Sequence, residues 1–299
     1  MSYASTWVYK MSIVVDAFSF YNELELLEIR LHELGDVVDK FVLVEATRTH
    51  AGNPKELFFQ NNKPLFYGYL NKIVHIVVDD MPITPEQIRA SLSSKDVKWI
   101  ESQYQAEDSW VRERYQRNAM MREIQKCAPD DIIIISDADE IVRNFIARNA
   151  DLLICDGSNA IQQELRAYYL NVACTNMSWH GSKIVRRKCL DENTPSEIRF
   201  HTPPCQCITD GGWHFGYLGG VKSIQTKIKS FAHQEFNDPK FTTSDTISGR
   251  LDQLKDVLGR LYEYKPIPLD ANSVPKYVLD NQEKFAHLIY RGENVPAQR

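Results

Sequence analysis

The sequence predicts an α/β fold, and three stretches carry that expectation. Residues 11–20 (MSIVVDAFSF), 39–47 (DKFVLVEAT) and 72–80 (KIVHIVVDD) read as strands rich in β-branched and aromatic residues. Between the first two, ELELLEIRLHELG places Leu24, Leu27, Leu31 and Leu34 on one helical face, with Asn22 as the expected cap and Gly35 as the stop. Strand, helix, strand in this order opens a parallel sheet.

The remaining elements follow from the same signals. Residues 81–107, with Pro82 and Pro85, have a weak pattern that predicts a short helix and loops. The stretch 109–126 (SWVRERYQRNAMMREIQK) predicts a helix with Trp110, Tyr115, Ala119 and Ile124 on its apolar side. Pro129-Asp130-Asp131 then turns the chain into a strand, Ile132 to Ile135. Further strands are expected at 160–170 and 182–187, followed by a Pro/Gly/Cys-rich connection over 191–220. Helices are expected after Val221, through Leu251, Leu254, Leu258 and Leu261, and in PKYVLDNQEKFAHLI. With no internal repeat, the expected organisation is an arm (1–10), one catalytic domain (11–242) and a helical C-terminal extension (243–299) packed on it.

Composition narrows the function classes. Of 299 residues, 43% are hydrophobic and 25% charged, and the net charge of −5 offers no basic excess for a nucleic-acid backbone. There is no run of about 18 apolar residues, so no transmembrane segment is expected. The N-terminal residues lack the features of a signal peptide, so the expectation is a soluble, cytoplasmic chain. The six cysteines are expected to be mostly reduced, buried thiols, and Cys205-Gln-Cys207 lacks a partner pair for a metal site.

The chemistry concentrates in DDIIIISDADEIV, where an apolar strand ends in Asp137, Asp139 and Glu140. The C-terminal edge of strands is where open α/β sheets bind ligands. Clustered carboxylates cannot all stay ionised without a compensating cation, which points to Mg²⁺ or Mn²⁺ over a diphosphate. Two chemistries use such a turn: nucleotide-sugar glycosyl transfer, or a haloacid-dehalogenase-type phosphatase with Asp137 as nucleophile. The phosphatase pattern expects Thr or Val where Ile141 stands, and expects the motif near the start of the domain; glycosyl transfer fits better. A non-catalytic sugar-binding protein is the third alternative.

Six blocks in order then carry a resemblance: DAFSFYNELELLEIRLHEL, FVLVEATRTHAGNPKEL, the Gln116-Arg117 helix, ISDADEI, GGWHF and PKYVLDNQEKFAHLI. Together, from about residue 11 to 290, they resemble glycosyltransferase family 17. The resemblance implies a GT-A type fold, a Rossmann-like mixed sheet flanked by helices. It implies a UDP-sugar donor, a Mn²⁺ (or Mg²⁺) cofactor and inverting transfer of β-linked N-acetylglucosamine to a glycan or glycoprotein acceptor. UDP-xylose or UDP-glucose remain alternative donors. A Golgi lumen is implied only if an N-terminal anchor has been removed.

Roles follow from that implication. Asp139 is expected to bind metal, Asp137 metal or ribose, and His214 in DGGWHFG to be a third metal ligand. Glu140 either orients the cluster, touches the acceptor or caps a helix. Trp213 and Phe215 are expected to line the sugar pocket, with Gly211, Gly212 and Gly216 letting the backbone approach a ligand. Candidate general bases are Glu235, then Asp210, with Asp108 and Glu164 behind them. Glu45 is expected at uracil or ribose, Thr49 and Lys55 over the diphosphate, and Arg117 either on the diphosphate or paired with Glu113.

Overall fold

The structure, a computed structural model, describes residues 12–91, 98 and 108–292. The expected arm 1–10, the start of the first strand at Met11 and most of 92–107 lie outside the described residues. Within them, ten strands form one mixed sheet. These are β1 (Val14–Phe20), β2 (Lys40–Ala46), β3 (Ile73–Val78), β4 (Ile132–Asp137), β5 (Glu140–Val142), β6 (Asn159–Ala167), β7 (Val172–Trp179), β8 (Lys183–Arg186), β9 (Gln206–Gly216) and β10 (Tyr264–Pro266). The main order is β10-β7-β6-β8-β4-β1-β2-β3, with β9 pairing β6 and β5. β4, β1, β2 and β3 run parallel, whereas β8 lies antiparallel to β4. Among the described residues no helix is long and apolar enough to cross a membrane.

The four isoleucines now have a reason. Ile132 and Ile134 pack on one face with Phe18 and with Leu27, Leu31 and Leu34 of α1 (Leu24–Leu34). Ile133 and Ile135 pack on the other with Val15, Ala17, Met120 and Ile124. A parallel strand covered on both faces is apolar throughout rather than alternating. Asn22 does not cap α1; Glu23 occupies that place and accepts from the Tyr21 and Asn22 amides at 2.9 and 3.0 Å. Gly35 follows α1 as expected, but for want of room: a Cβ there would meet the Leu31 carbonyl and the Tyr69 ring.

The expected helix 109–126 is two helices, α2 (Asp108–Asn118) and α3 (Met121–Ile124). Trp110 does not share a cluster with Tyr115, Ala119 and Ile124; it packs with Ile88, Val111 and Ala232. The connection 191–220 is more ordered than its composition suggests. It holds α4 (Pro195–Phe200) and the eleven-residue β9. Helix α5 (Gly220–Ser230) forms where a helix is expected after Val221, but Leu254, Leu258 and Leu261 lie beyond α6 (Ser244–Asp252), with Leu261 exposed. Besides its short helices, the C-terminal stretch adds β10 to the edge of the sheet beside β7. The thiol expectation is corrected: Cys155 and Cys205 form a disulfide, and of the four free cysteines only Cys127 is buried.

Candidate active site

The acidic turn sits between β4 and β5 and is built from below. Arg30 of α1, fully buried, donates to both oxygens of Asp16 at 2.5 and 2.6 Å and to Ser136 Oγ at 2.5 Å. It also donates to the Asp137 and Glu140 carbonyls at 3.1 and 2.8 Å. One guanidinium thus ties β1, the end of β4 and the start of β5 together. Glu140, also fully buried, orients the cluster rather than capping a helix. Its carboxylate accepts from Arg199 at 2.6 and 2.8 Å, from Trp179 Nε1 at 2.5 Å, from Ser182 Oγ at 3.0 Å and from the Asp137 amide at 3.0 Å.

Asp137 receives Arg117 on Oδ1 at 2.8 Å and Arg199 on Oδ2 at 2.7 Å. Burial alone would push its carboxyl up, but Arg199 and Arg117 outweigh burial and hold it down at about 2. Asp139 is 6% exposed; its Oδ2 receives Lys227 Nζ of α5 at 2.5 Å and lies 3.5 Å from His214 Nε2. Burial opposes ionisation there too, and Lys227 and His214 overcome it to keep the carboxyl well below the ordinary range. The compensating cations inferred from the carboxylates are therefore in part the protein's own. The turn stays ionised at neutral pH.

Asp137, Asp139 and His214 open on a cavity of about 450 Å³ that also exposes Thr49, Lys55 and Glu235. That volume suits a small organic ligand, whose pockets run to roughly 300–1,000 Å³. A family model described as Glycosyltransferase family 17 matches residues 5–293. The chain belongs to glycosyltransferase family 17. Two curated relatives, from Rattus norvegicus and Homo sapiens, both named beta-1,4-mannosyl-glycoprotein 4-beta-N-acetylglucosaminyltransferase, are each 31% identical over 322 residues. The matches cover 92% of this chain and 54% and 55% of the relatives, so the chain spans about half their length. Among solved structures, a mannosyltransferase from Pyrobaculum calidifontis is 12% identical with a TM-score of 0.36, covering 80% of this chain and 69% of that one.

Within this family 17 chain, the other residues singled out by sequence divide sharply. Glu235 faces the cavity, and His233 Nδ1 lies 2.6 Å from its Oε1, so His233 is a neighbour of Glu235. Thr49 and Lys55 reach the cavity; the Lys55 ammonium lies over the Tyr21 and Phe58 rings, and burial pushes its pKa down. Arg117 makes the expected ion pair with Glu113 and also reaches Asp137, which the sequence did not suggest.

Other residues are not brought to the site. Glu45 is fully buried, accepting from the Phe59 amide at 3.0 Å and paired with His75 at 3.0 Å and with Lys55 at 3.6 Å, and it does not itself line the cavity. Asp210 is largely exposed and paired with Arg143 outside the cavity; Glu164 is held by Arg143 and Arg166. Asp108 is exposed at the start of α2 and does not line the cavity. Trp213 and Phe215 are core, packed with Ile141, Leu170 and Phe285. Gly211 and Gly212 admit their own sheet neighbours rather than a ligand. A Cβ on Gly212, whose φ is +152°, would collide with the Ile141 carbonyl oxygen. Gly216 does line the cavity.

Sequence reasoning missed Arg199, Lys227, Arg30 and Trp179. A signal for Arg199 existed: Thr194-Pro-Ser-Glu197 is a capping box that announces α4, and both of its reciprocal bonds are present. Lys227 gave no such signal, being one of three lysines on α5, and only the fold selects the one that meets Asp139.

Proposed function

We propose that this chain is an inverting glycosyltransferase. It moves N-acetylglucosamine from a UDP-sugar to a glycan acceptor. The observation that carries the reading, beside family membership, is that Asp139, His214 and Glu235 converge on one cavity at the C-terminal end of the parallel strands. The relatives' printed name supplies the sugar, and the donor nucleotide rests on the resemblance.

A divalent ion is part of this reading, and the residues fit it. Asp139 and His214 offer an oxygen and a nitrogen to the same cavity. Among the described residues no three His, Cys, Asp or Glu form a closed cage. An open, two-residue donor set suits a hard ion that also takes phosphate oxygens and water. Bound there, the ion would stabilise negative charge developing on the departing diphosphate.

The chain's own groups do the rest. Asp137, held by two arginines, fixes the turn and is available to a ribose hydroxyl. Lys227 and Lys55 add positive charge along the cavity for the diphosphate. Glu235 is the group we assign to take the acceptor hydroxyl proton, since the other candidate acids, Asp108, Glu164 and Asp210, lie off the cavity. Its neighbour His233 orients the carboxylate at 2.6 Å.

Mass spectrometry of products after incubation with UDP-N-acetylglucosamine, UDP-xylose and UDP-glucose, with Mn²⁺ or with chelator, tests the reading. Transfer or donor hydrolysis from the first sugar, lost on chelation, is the expected result; no turnover of any donor sinks it. Glu235→Gln is expected to lower kcat about 10²–10⁴-fold, as loss of a general base does, while UDP affinity by calorimetry stays unchanged. A kcat within threefold of the parent, on the order of 0.7 kcal/mol in barrier, would remove Glu235 from that role.

A further inference from the structure

A second cavity of about 340 Å³ opens beside the first, and the two share Leu165, Trp179, Arg199, Phe200 and Tyr262 as walls. We infer that this side cavity is the acceptor subsite, and that it takes an uncharged oligosaccharide. The inference rests on the transferase reading above and adds the place and the chemical class of the second substrate.

Three observations carry it. First, continuity: Trp179 stands between the cavities, its Nε1 donating to Glu140 at 2.5 Å and its ring 4.7 Å from the His214 ring. A ligand resting on Trp179 is therefore within reach of the acidic turn. Second, charge: among the described residues of the lining Arg199 is the one permanently charged side chain, and its guanidinium is committed to Asp137 and Glu140. The lining holds no carboxylate and no lysine, so it presents no free fixed charge to an anionic or cationic ligand. What remains is Trp179, Tyr262 and Met177, beside Phe200, whose ring already carries the Arg114 guanidinium at 4.6 Å, with Ser178 and His180 as hydrogen-bonding groups. Flat apolar walls with a few polar groups suit a pyranose, whose C–H faces stack on rings while its hydroxyls bond to the rim.

Third, the outer wall is fixed in place. Asn176 of β7 donates Nδ2 to the Leu261 carbonyl at 2.9 Å and accepts the Glu263 amide at 3.1 Å, gripping the backbone on both sides of Tyr262. The Arg260 guanidinium covers the Tyr262 ring at 4.4 Å. Asn176-Met177-Ser178 has the pattern of a glycosylation sequon. Here the amide of Asn176 is used to hold a wall of the cavity instead.

The test separates the two substrates. Saturation-transfer NMR on the whole chain would use a mannose- and N-acetylglucosamine-containing core oligosaccharide and cello-oligosaccharides as probes, alongside calorimetry with UDP. The parent is expected to bind at least one oligosaccharide. Tyr262→Ala is expected to weaken that binding roughly tenfold, the scale of losing one stacked ring. Because Tyr262 also borders the first cavity, UDP affinity is read in a variant at Met177, which lines the side cavity alone and is expected to leave UDP affinity unchanged. Met177→Arg, at a residue 48% exposed and so tolerant of substitution, is expected to weaken saccharide binding likewise by placing a charge in the cavity. Oligosaccharide binding unchanged in folded Met177→Arg and Tyr262→Ala would overturn the inference. So would a parent that binds UDP but none of the saccharides. A parent that binds neither UDP nor saccharide fails the transferase reading itself.

Discussion

Asp139→Asn is expected to abolish transfer while leaving the protein folded. The substitution keeps the size of the side chain and the backbone carbonyl that accepts the Phe215 amide at 2.8 Å. What it removes is the negative charge facing Lys227 and His214. Two losses follow in the proposed mechanism. The ion would lose its anionic donor, keeping at most a neutral amide oxygen, and the Lys227 ammonium, whose pKa burial lowers and Asp139 raises to a net upward shift, loses its partner. Removing one preorganised electrostatic group from such a site costs about 10²–10³ in kcat, and loss of the ion deepens that. The measurements are kcat/KM for transfer, UDP affinity with and without Mn²⁺, and Tm. A folded variant that retains parental turnover and a parental Mn²⁺ effect on UDP binding would show that the acidic turn does not hold the ion.

Arg30→Met is expected to cost more stability than any of the substitutions in the cavity, about 3–5 kcal/mol, the cost of breaking a buried ion pair from one side. Asp16 would be left fully buried and without the guanidinium that now meets both of its oxygens. The Ser136 hydroxyl and two turn carbonyls lose their donor as well. Chemical denaturation with the slope compared to the parent checks the size. The double variant Arg30→Met/Asp16→Leu should recover much of the loss, because no uncompensated charge then remains buried. If Arg30→Met alone unfolds at the parental denaturant midpoint, the turn is supported by other means. A variant stable enough to assay at low temperature should also have lost activity, because Arg30 fixes the backbone from which Asp137 and Asp139 project.

The sequence made the parallel half legible because its signals are local. Ile132 to Ile135 could be read as a strand, and Leu27, Leu31 and Leu34 as a core-facing stripe, without knowing any partner. Asp137 and Asp139 could be placed at a strand end for the same reason. The antiparallel half was harder. β9 contains three glycines and one cysteine and follows two prolines, a composition that reads as connection, and becomes a strand only because β6 and β5 flank it. The site was legible where a residue type announces its chemistry and illegible where position decides. Glu45 looks like an exposed strand-end acid until His75 and the Phe59 amide close over it. Lys227 looks like a surface lysine until α5 lays it beside Asp139. The carboxylate cluster correctly implied compensating charge, but a sequence could not say how much of it would come from arginine and lysine.

The strand β10 gives the tail of the chain a part in the fold that its short helices would not suggest. By pairing with β7 it closes one flank of the sheet, and the loop just before it carries Arg260 and Tyr262 to the cavity. A version cut back to residue 242 would therefore uncover the hydrogen-bonding rim of β7, a surface on which strands of neighbouring molecules can add. Self-association on gel filtration, together with loss of saccharide recognition, is the behaviour such a shortened protein should show.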